Sequence, residues 1–330
     1  MNTKKSYLSR PINFLAHWRS LPPYELISYV FMFASVPMLA YGIQLYNITI
    51  IRIIIFTIIT MYAGFFAALI WNDITDVDID TVAHPDRPIP SGRISKKKFF
   101  IIALFFSTLV FIFAILVSPL CLIIVVAAAL FVTFHDIYLK KHVKIPAYSE
   151  IFTPAQWIVV GVFGFFAIWT AILQSSNVAI NLSFLGPINT NKDAIIQLIV
   201  LVLFIYFADN AHDLAEGIVD AEGDKSHKVR TYATSFGEKN AARISFVWFL
   251  ISGILAFILY YTTILSFVFL ISFIILWLYI MSYSYKLLKS DKKDIKKIAA
   301  IVGRKGFDYF LFSFNLIFLD VFIQIIIFNF

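Results

Sequence analysis

Residues 51–71 read IRIIIFTIITMYAGFFAALIW, and residues 72–80, directly after them, read NDITDVDID. The first stretch is almost uniformly apolar and is long enough to cross a membrane as a helix. The second stretch places four aspartates where that helix would leave the lipid. Carboxylates are costly near lipid and are usually kept there for a function. The junction therefore predicts a membrane helix with a functional site at its end.

The composition of the whole chain is typical of a polytopic membrane protein. Of its 330 residues, 60% are hydrophobic and 14% are charged, and the mean hydropathy is +0.84. A soluble chain of this length does not need so much apolar surface. The single cysteine, Cys121, excludes a disulfide framework and a thiolate zinc site. Residues 1–26 are polar and lack the apolar core of a signal peptide, so we expect a cytoplasmic amphipathic segment there.

Nine apolar runs of about 20 residues predict nine transmembrane helices. The runs cover residues 27–46, 51–71, 99–117, 120–138, 152–174, 194–212, 243–262, 264–285 and 308–329. Helices are expected because a backbone in lipid must satisfy its hydrogen bonds within its own segment. The predicted fold is all-α: a polytopic bundle of nine transmembrane helices in a single domain, residues 1–330.

The basic residues give this bundle an orientation. With the N-terminus in the cytoplasm, 25 of the 27 Lys and Arg residues fall on the cytoplasmic side, and only Arg52 and Lys192 fall outside. This distribution follows the positive-inside rule and predicts a multi-pass protein of the cell membrane. The net charge of +7 is then explained by topology and by contact with anionic membrane lipid, so nucleic acid is not an expected partner.

A second acidic cluster, Asp220-Ala221-Glu222-Gly223-Asp224, follows the sixth apolar run on the same predicted face. The two clusters lie in predicted acidic loops, residues 72–98 and 213–242. Adding 144 to Asp76 and Asp80 gives Asp220 and Asp224, four helices further along the chain. This match predicts two four-helix repeats followed by a ninth helix, an arrangement that is common in membrane proteins with central sites.

In each cluster, helical spacing distinguishes the acids that share one helix face, which we expect to bind a metal, from those that do not. Asp73, Asp76 and Asp80 share one helix face, whereas Asp78 points elsewhere. Asp220 and Asp224 share a face as well, and Asp213 lies on nearly the same face two turns earlier. Mg²⁺ prefers oxygen ligands, typically carboxylates together with phosphate oxygens and water. The five aspartates Asp73, Asp76, Asp80, Asp220 and Asp224 are therefore the expected catalytic and metal-binding residues for a diphosphate. The alternative is that these acids only cap helices or solvate loops.

Basic and polar residues near the clusters are candidates for substrate contacts. The segment 85–93, PDRPIPSGR, must be a rigid turn because its prolines fix φ and exclude helix, and it would hold Arg87 over the site. The predicted substrate-binding residues are Asn72, Arg87, Lys140, Asp213, Lys225 and Arg230. Histidines at 84, 135, 142, 212 and 227 have spacings that fit no common zinc motif.

Together these motifs resemble those of the UbiA superfamily of intramembrane prenyltransferases. The family motif N-D-x-x-D-x-x-x-D is matched by Asn72, Asp73, Asp76 and Asp80, and residues 84–92 resemble the stretch R-P-x-R-P-x-P-S-G that follows it. The second motif, similar to D-x-x-G-D-x-x-x-G-x-x-T, reads Asp220, Gly223, Asp224, Lys228 and Thr231. Residues 135–140 stand where the family has Y-S-x-x-L-K. The departures are His84 for arginine, Lys228 for glycine, His135-Asp136 for Tyr-Ser/Thr, and residues 216–219 for Asn-Asn-x-Arg.

The resemblance implies a Mg²⁺-dependent enzyme that ionises an isoprenyl diphosphate within the bundle and transfers the prenyl group to a hydrophobic acceptor, aromatic or another lipid precursor. Two alternatives stay open. In a terpene cyclase of the same superfamily, the double bonds of the prenyl chain itself would attack the cation. A cation or lipid transporter would use the intramembrane acids as binding sites.

Overall fold

The fold was analysed in a computed structural model that describes residues 22–83, 85–139, 142–171, 179–182, 186–189, 192–226 and 228–329. The helices are α1 (Pro23–Tyr41), α2 (Ile48–Thr75), α3 (Val77–Ala83), α4 (Lys96–Val117), α5 (Pro119–Phe134), α6 (Tyr148–Phe152), α7 (Ala155–Ala171), α8 (Lys192–Ser226), α9 (Tyr232–Phe236), α10 (Glu238–Thr262), α11 (Phe267–Lys289) and α12 (Ile295–Asn329). A π-helical turn, His135–Leu139, continues α5. The predictions for residues 1–21 and for Lys140 lie outside the described residues.

Nine helical segments within the described ranges are long and apolar enough to cross a membrane, which confirms the predicted all-α, polytopic fold. Spans one to four are α1, α2, α4 and α5, the last with its π-helical turn. The fifth span combines α6 and α7, and spans six to nine are α8, α10, α11 and α12. The only strands in the described segments are β1 (Ala179–Leu182) and β2 (Gly186–Asn189), an antiparallel pair between the fifth and sixth spans.

The nine spans pack in chain order as a closed ring. Each span contacts the next, and the ninth returns to the first. The second span also contacts the fifth, and the sixth contacts the ninth, which are two contacts related by a shift of four spans; the first span contacts the fifth as well. This is the packing order that a duplicated four-helix unit with one additional helix predicts.

An ion pair at one end of α1 and α12 joins the first and last spans of the ring. The Arg304 guanidinium contacts the carboxylate of Glu25, which is fully buried. Nearby, the Tyr24 hydroxyl donates to Asp308 Oδ1 at 2.9 Å. A carboxylate in this position needs a partner, because a buried charge that lacks one is strongly destabilising.

The structure corrects the predicted loops that carry the acids. Residues 72–75 belong to α2 and residues 77–83 to α3, so much of the predicted loop 72–98 is helical before the proline turn. In the predicted loop 213–242, residues 213–226 continue α8 without a break. Residues 296–305, which precede the ninth apolar run, lie in the first turns of α12. Polar residues ended the apolar runs without ending the helices, because Glu, Lys and Ala are strong helix formers.

Candidate active site

The first acidic cluster is buried and carries its own counter-charge. Asp73, at the end of α2, and Asp80, in α3, are 1% and 2% exposed. Arg87 Nη1 lies 2.6 Å from Asp80 Oδ1 and 3.8 Å from Asp73 Oδ1. Its single guanidinium therefore bridges two carboxylates seven residues apart, one on α2 and the other on α3. Asp80 Oδ2 is buried and accepts no hydrogen bond from the described residues.

The proline turn holds Arg87 in this position. Ser91 N donates to the Arg87 carbonyl at 3.0 Å, and Ile94 N donates to the Pro88 carbonyl at 3.2 Å. Gly92 has φ +71°, a left-handed conformation that glycine adopts without steric cost. Ile89 and Ile94 pack against the buried apolar side chains of α2 and α4. The turn is thus fixed by both its hydrogen bonds and its packing, as the prolines predicted.

Other members of the first cluster lie around this ion pair. At the last turn of α2, the Asn72 carbonyl accepts from Asp76 N at 2.9 Å and from the Thr75 hydroxyl at 3.0 Å. Asp76 is half-buried at this junction. Asp78 is exposed, in agreement with its predicted position off the shared face.

The second acidic cluster is more open. Asp220 is exposed and Asp224 is half-buried, both near the C-terminal end of α8. Val229 N donates to the Asp224 carbonyl at 2.8 Å, and Lys228, between them, has φ +59°. A left-handed conformation at Lys228 explains why glycine is usual at this position of the motif, because glycine avoids the steric cost of a Cβ atom there.

A basic cavity of about 360 Å³ lies beside the second cluster. Its lining residues are Pro146, Lys225, Lys228, Val229, Arg230, Thr234 and Ser235. Arg230 Nη1 donates to the Lys144 carbonyl, which fixes the guanidinium at the rim. The structure thus brings together the predicted residues Lys225 and Arg230. Two lysines, an arginine and two hydroxyl groups make this cavity suited to an anion.

Glu150, which sequence reasoning missed, lies buried beside the second cluster. The side chain comes from α6 and is 5% exposed. Its Oε2 atom accepts a hydrogen bond from Tyr232 N, and its carbonyl accepts one from Asn210 Nδ2 at 3.0 Å. Its Oε1 atom has no hydrogen-bond partner in the described part of the chain. A glutamate two residues before an apolar run was the available signal, since acids near lipid are rarely kept without a role.

A third polar group occupies the turn of α8 before the second cluster. Buried Asp209 Oδ1 lies 3.0 Å from His212 Nε2, and His212 Nδ1 lies 3.5 Å from Asp213 Oδ1 and 3.9 Å from Glu216 Oε1. Ligand atoms of His212, Asp213 and Glu216 lie within 4.8 Å of one another, so they also form a candidate cation site. Asp213, predicted to bind substrate, is half-buried in this group.

The donor set of the acidic clusters fits Mg²⁺. Mg²⁺ is held by carboxylate oxygens and keeps open positions for phosphate and water. Asp73 and Asp80 present neighbouring carboxylates, and the buried Asp80 Oδ2 is available to accept a cation. Asp220, Asp224 and the Oε1 atom of Glu150 offer oxygen ligands around the end of α8. Histidine and cysteine, which suit zinc better, do not contribute to these two described sets.

The fold and the acidic helix ends define an all-helical, multi-span membrane protein with two carboxylate clusters. Residues 29–313 match the UbiA prenyltransferase family, so the chain belongs to that family, as its motifs predicted. A digeranylgeranylglyceryl phosphate synthase from Saccharolobus solfataricus is 29% identical over 174 residues, which is 53% of this chain and 53% of that protein. The matched region thus spans about half the length of this curated relative.

Solved structures of UbiA homologues share the fold. One from Aeropyrum pernix K1 superposes with a TM-score of 0.63 and 14% identity, over 91% of this chain and 97% of that one. Another, from Archaeoglobus fulgidus, bound to DMAPP and Mg²⁺, gives a TM-score of 0.52 and 14% identity, over 90% and 99% of the two chains. The chain therefore shares its overall fold with these homologues.

Proposed function

We propose that this chain is a Mg²⁺-dependent intramembrane prenyltransferase that takes an isoprenyl diphosphate as donor. The observation that carries the proposal is the pair of buried carboxylates, Asp73 and Asp80, bridged by the half-buried Arg87 at the end of a membrane helix. Carboxylates near lipid are costly and are usually kept there for a function. Binding of an anionic substrate through divalent cations is such a function. The homologue bound to DMAPP, a prenyl diphosphate, and Mg²⁺ supports this choice of donor and metal.

The five aspartates would hold Mg²⁺, which, when bound, neutralises charge building on the leaving diphosphate. The roles of the remaining residues follow from their positions. Arg87 holds the carboxylates of Asp73 and Asp80 side by side and supplies positive charge beside the phosphates. Lys225 and Arg230 add positive charge from the rim of the basic cavity at the second cluster. Asn72, in the last turn of α2, remains a proposed substrate contact. Asp213 and Lys140 remain proposed substrate contacts.

The core of the bundle would shelter the prenyl cation from water. On α2, Tyr62 and Phe65 precede Asp73 by two to three turns, and Tyr29 packs against both rings with centroid distances of 6.5 and 4.4 Å. Trp157 stacks on Tyr29 at 6.0 Å. Aromatic faces stabilise cations, and excluding water prevents premature capture of a carbocation.

We also propose that the protein lies in the cell membrane as one domain, with the acidic ends of α2 and α8 in the cytoplasm. The asymmetry of Lys and Arg residues supports this orientation. In the same orientation, the basic cavity faces the compartment in which soluble phosphorylated precursors are made. The acceptor that we favour is a glycerol phosphate lipid precursor, because the curated relative is a digeranylgeranylglyceryl phosphate synthase and the cavity suits a phosphate.

The assay that tests this proposal uses purified full-length protein in lipid nanodiscs. Geranylgeranyl diphosphate and Mg²⁺ are supplied with and without a prenylated glycerol phosphate acceptor, and products are identified by mass spectrometry. We expect a prenylated acceptor that depends on Mg²⁺ and disappears in Asp73→Asn. A cyclic hydrocarbon or alcohol formed without acceptor would instead identify a terpene cyclase. If no condition gave metal-dependent release of diphosphate, the result would reject both the prenyltransferase and the terpene cyclase and would favour a transporter.

A further inference from the structure

The two acidic clusters differ at one position. The offset of 144 residues takes Asp76 to Asp220 and Asp80 to Asp224, but it takes Asp73 to Gly217. On α8, Gly217 lies three residues before Asp220 and seven before Asp224, so the three positions share one helix face. The second cluster therefore has a glycine where the first has its most deeply buried acid.

The carboxylate of Glu150 occupies the space beside this glycine. A Cβ atom built on Gly217 would collide with Glu150 Oε1 and would lie 3.3 Å from its Cδ atom. An aspartate at 217 and a glutamate at 150 cannot both be accommodated without movement of one of them. Glu150 therefore delivers, from α6, a carboxylate to the place that an aspartate on α8 would otherwise fill.

The two carboxylate oxygens of Glu150 have different surroundings. Tyr232 N donates to Oε2, which ties the side chain to the first turn of α9. Oε1 is buried and has no hydrogen-bond partner within the described ranges. A buried carboxylate oxygen is costly to leave without a partner, unless it has a ligand to bind. One oxygen is thus positioned by the backbone, and the other is available.

We propose that Glu150 supplies a third metal-binding carboxylate beside those of Asp220 and Asp224, and that its Oε1 atom would coordinate the divalent cation that these two aspartates hold. The inference rests on the proposed function, which assigns Mg²⁺ to these acids. Glu150 stands in the first turns of the fifth span, and the cluster stands in the last turns of the sixth. Consecutive spans run in opposite directions, so the three acids lie at the same membrane face.

A purely structural role for Glu150 makes a different prediction. If the side chain only anchors α9, an amide oxygen should accept the hydrogen bond from Tyr232 N equally well. Glu150→Gln keeps that acceptor and removes the negative charge. A change in metal affinity without a change in folding would thus assign the role to the charge.

The first experiment measures binding of Mn²⁺, a spectroscopic substitute for Mg²⁺, by electron paramagnetic resonance on full-length protein in nanodiscs. Glu150→Gln should weaken the affinity of one site by about tenfold or more, since altering groups that hold or orient a metal has effects of this size. Glu222→Gln is the matched control on α8, because Glu222 is exposed and pairs with Lys296 at 2.6 Å. It should bind Mn²⁺ as the unmodified protein does.

The second experiment moves the carboxylate between the helices. Glu150→Ala alone should lose Mn²⁺ affinity, and the double variant Glu150→Ala with Gly217→Asp should regain most of it, because the space vacated by Glu150 admits an aspartate on α8. Gly217→Asp alone should fold less well, since the new side chain meets Glu150. Failure of the double variant to bind Mn²⁺ better than Glu150→Ala, with both variants folded, would count against the proposal.

Asp220→Asn separates this inference from the proposed function. Loss of Mn²⁺ affinity in both Asp220→Asn and Glu150→Gln supports the proposed function and the metal-binding role of Glu150. Loss in Asp220→Asn with full affinity in a folded Glu150→Gln overturns the role of Glu150 and leaves the proposed function standing. Full affinity in both variants overturns the metal assignment of the second cluster and the role of Glu150 with it.

Discussion

The two acidic clusters lie at equivalent places in the ring of spans but are built differently. At the first, Asp73 and Asp80 are buried and share Arg87, which a hydrogen-bonded proline turn keeps in place. At the second, Asp220 is exposed, Asp224 is half-buried, and the positive charges surround a cavity to one side. The first cluster is therefore part of the folded core, whereas the second can gain or lose a ligand with little effect on folding.

The sharpest test of this difference is Arg87→Ala. The variant leaves two buried carboxylates without the guanidinium between them, and removing one partner of a buried ion pair costs about 3–5 kcal/mol. Thermal unfolding in detergent with a chelator should show a large fall in the midpoint, and excess Mg²⁺ should restore part of it. Arg93→Ala, in the same turn but exposed, is the control. Equal losses in the two variants would mean that the turn, and not the ion pair, carries the stability.

Asp220→Asn should have the opposite profile. Prenyl transfer should fall by about a hundredfold, as expected when one group that stabilises transition-state charge is removed. The unfolding midpoint should stay the same within error, because Asp220 is exposed. Asp78→Asn, an exposed aspartate beside the first cluster, should keep its activity. A fall in stability for Asp220→Asn would show that the second cluster is as structural as the first.

Magnesium itself should distinguish the clusters. A ligand at a hundredfold excess over its Kd stabilises a protein by about 2.7 kcal/mol, and a tenfold weaker affinity lowers that gain by about 1.4 kcal/mol. At low Mg²⁺, Asp224→Asn should lose more of the stabilisation by Mg²⁺ than Asp80→Asn does, because a cation at Asp80 must compete with Arg87. Unfolding midpoints measured across a Mg²⁺ titration test this order, and the reverse order would contradict it.

The smallest expected effect is a gain in stability from Lys228→Gly. A left-handed conformation is strained for lysine by roughly 1 kcal/mol relative to glycine, although the greater freedom of glycine in the unfolded chain offsets part of this. Lys225→Gly, within the last turn of α8, should lower the midpoint instead, since glycine is unfavourable in a helix. Equal shifts of the unfolding midpoint in the two variants would contradict the explanation from the left-handed conformation of Lys228.

The membrane helices could be predicted from the sequence because lipid imposes a length of about 20 apolar residues on each of them. The break between α10 and α11 was also found, between the runs 243–262 and 264–285 in the prediction and after Thr262 in the structure. The C-terminal end of α8 and the N-terminal end of α12 were not found. Both helices continue beyond the lipid through charged residues. Hydropathy indicates which residues contact lipid but does not indicate the backbone conformation, so it could not show these extensions.

The first cluster was predictable because its face follows from spacing within one local segment, and the proline turn is only a few residues away. The contact of Glu150 with Gly217 was not predictable, since the carboxylate reaches Gly217 only after the fifth and sixth spans have packed. The pairing of Asp209 with His212 was hidden for another reason. Both fall inside an apolar run that was interpreted as an ordinary span, and the burial that makes them notable appears only in the folded bundle.

The contact between Glu25 and Arg304 has a consequence for biosynthesis. Glu25 lies at the start of the first span, and the arginine that neutralises it is synthesised 279 residues later. The ribosome and the insertion machinery must therefore synthesise and insert the first span before this ion pair exists. Closure of the ring can be completed only after the ninth span has begun to emerge, so truncated chains that stop before it should be recognised and degraded by membrane quality control.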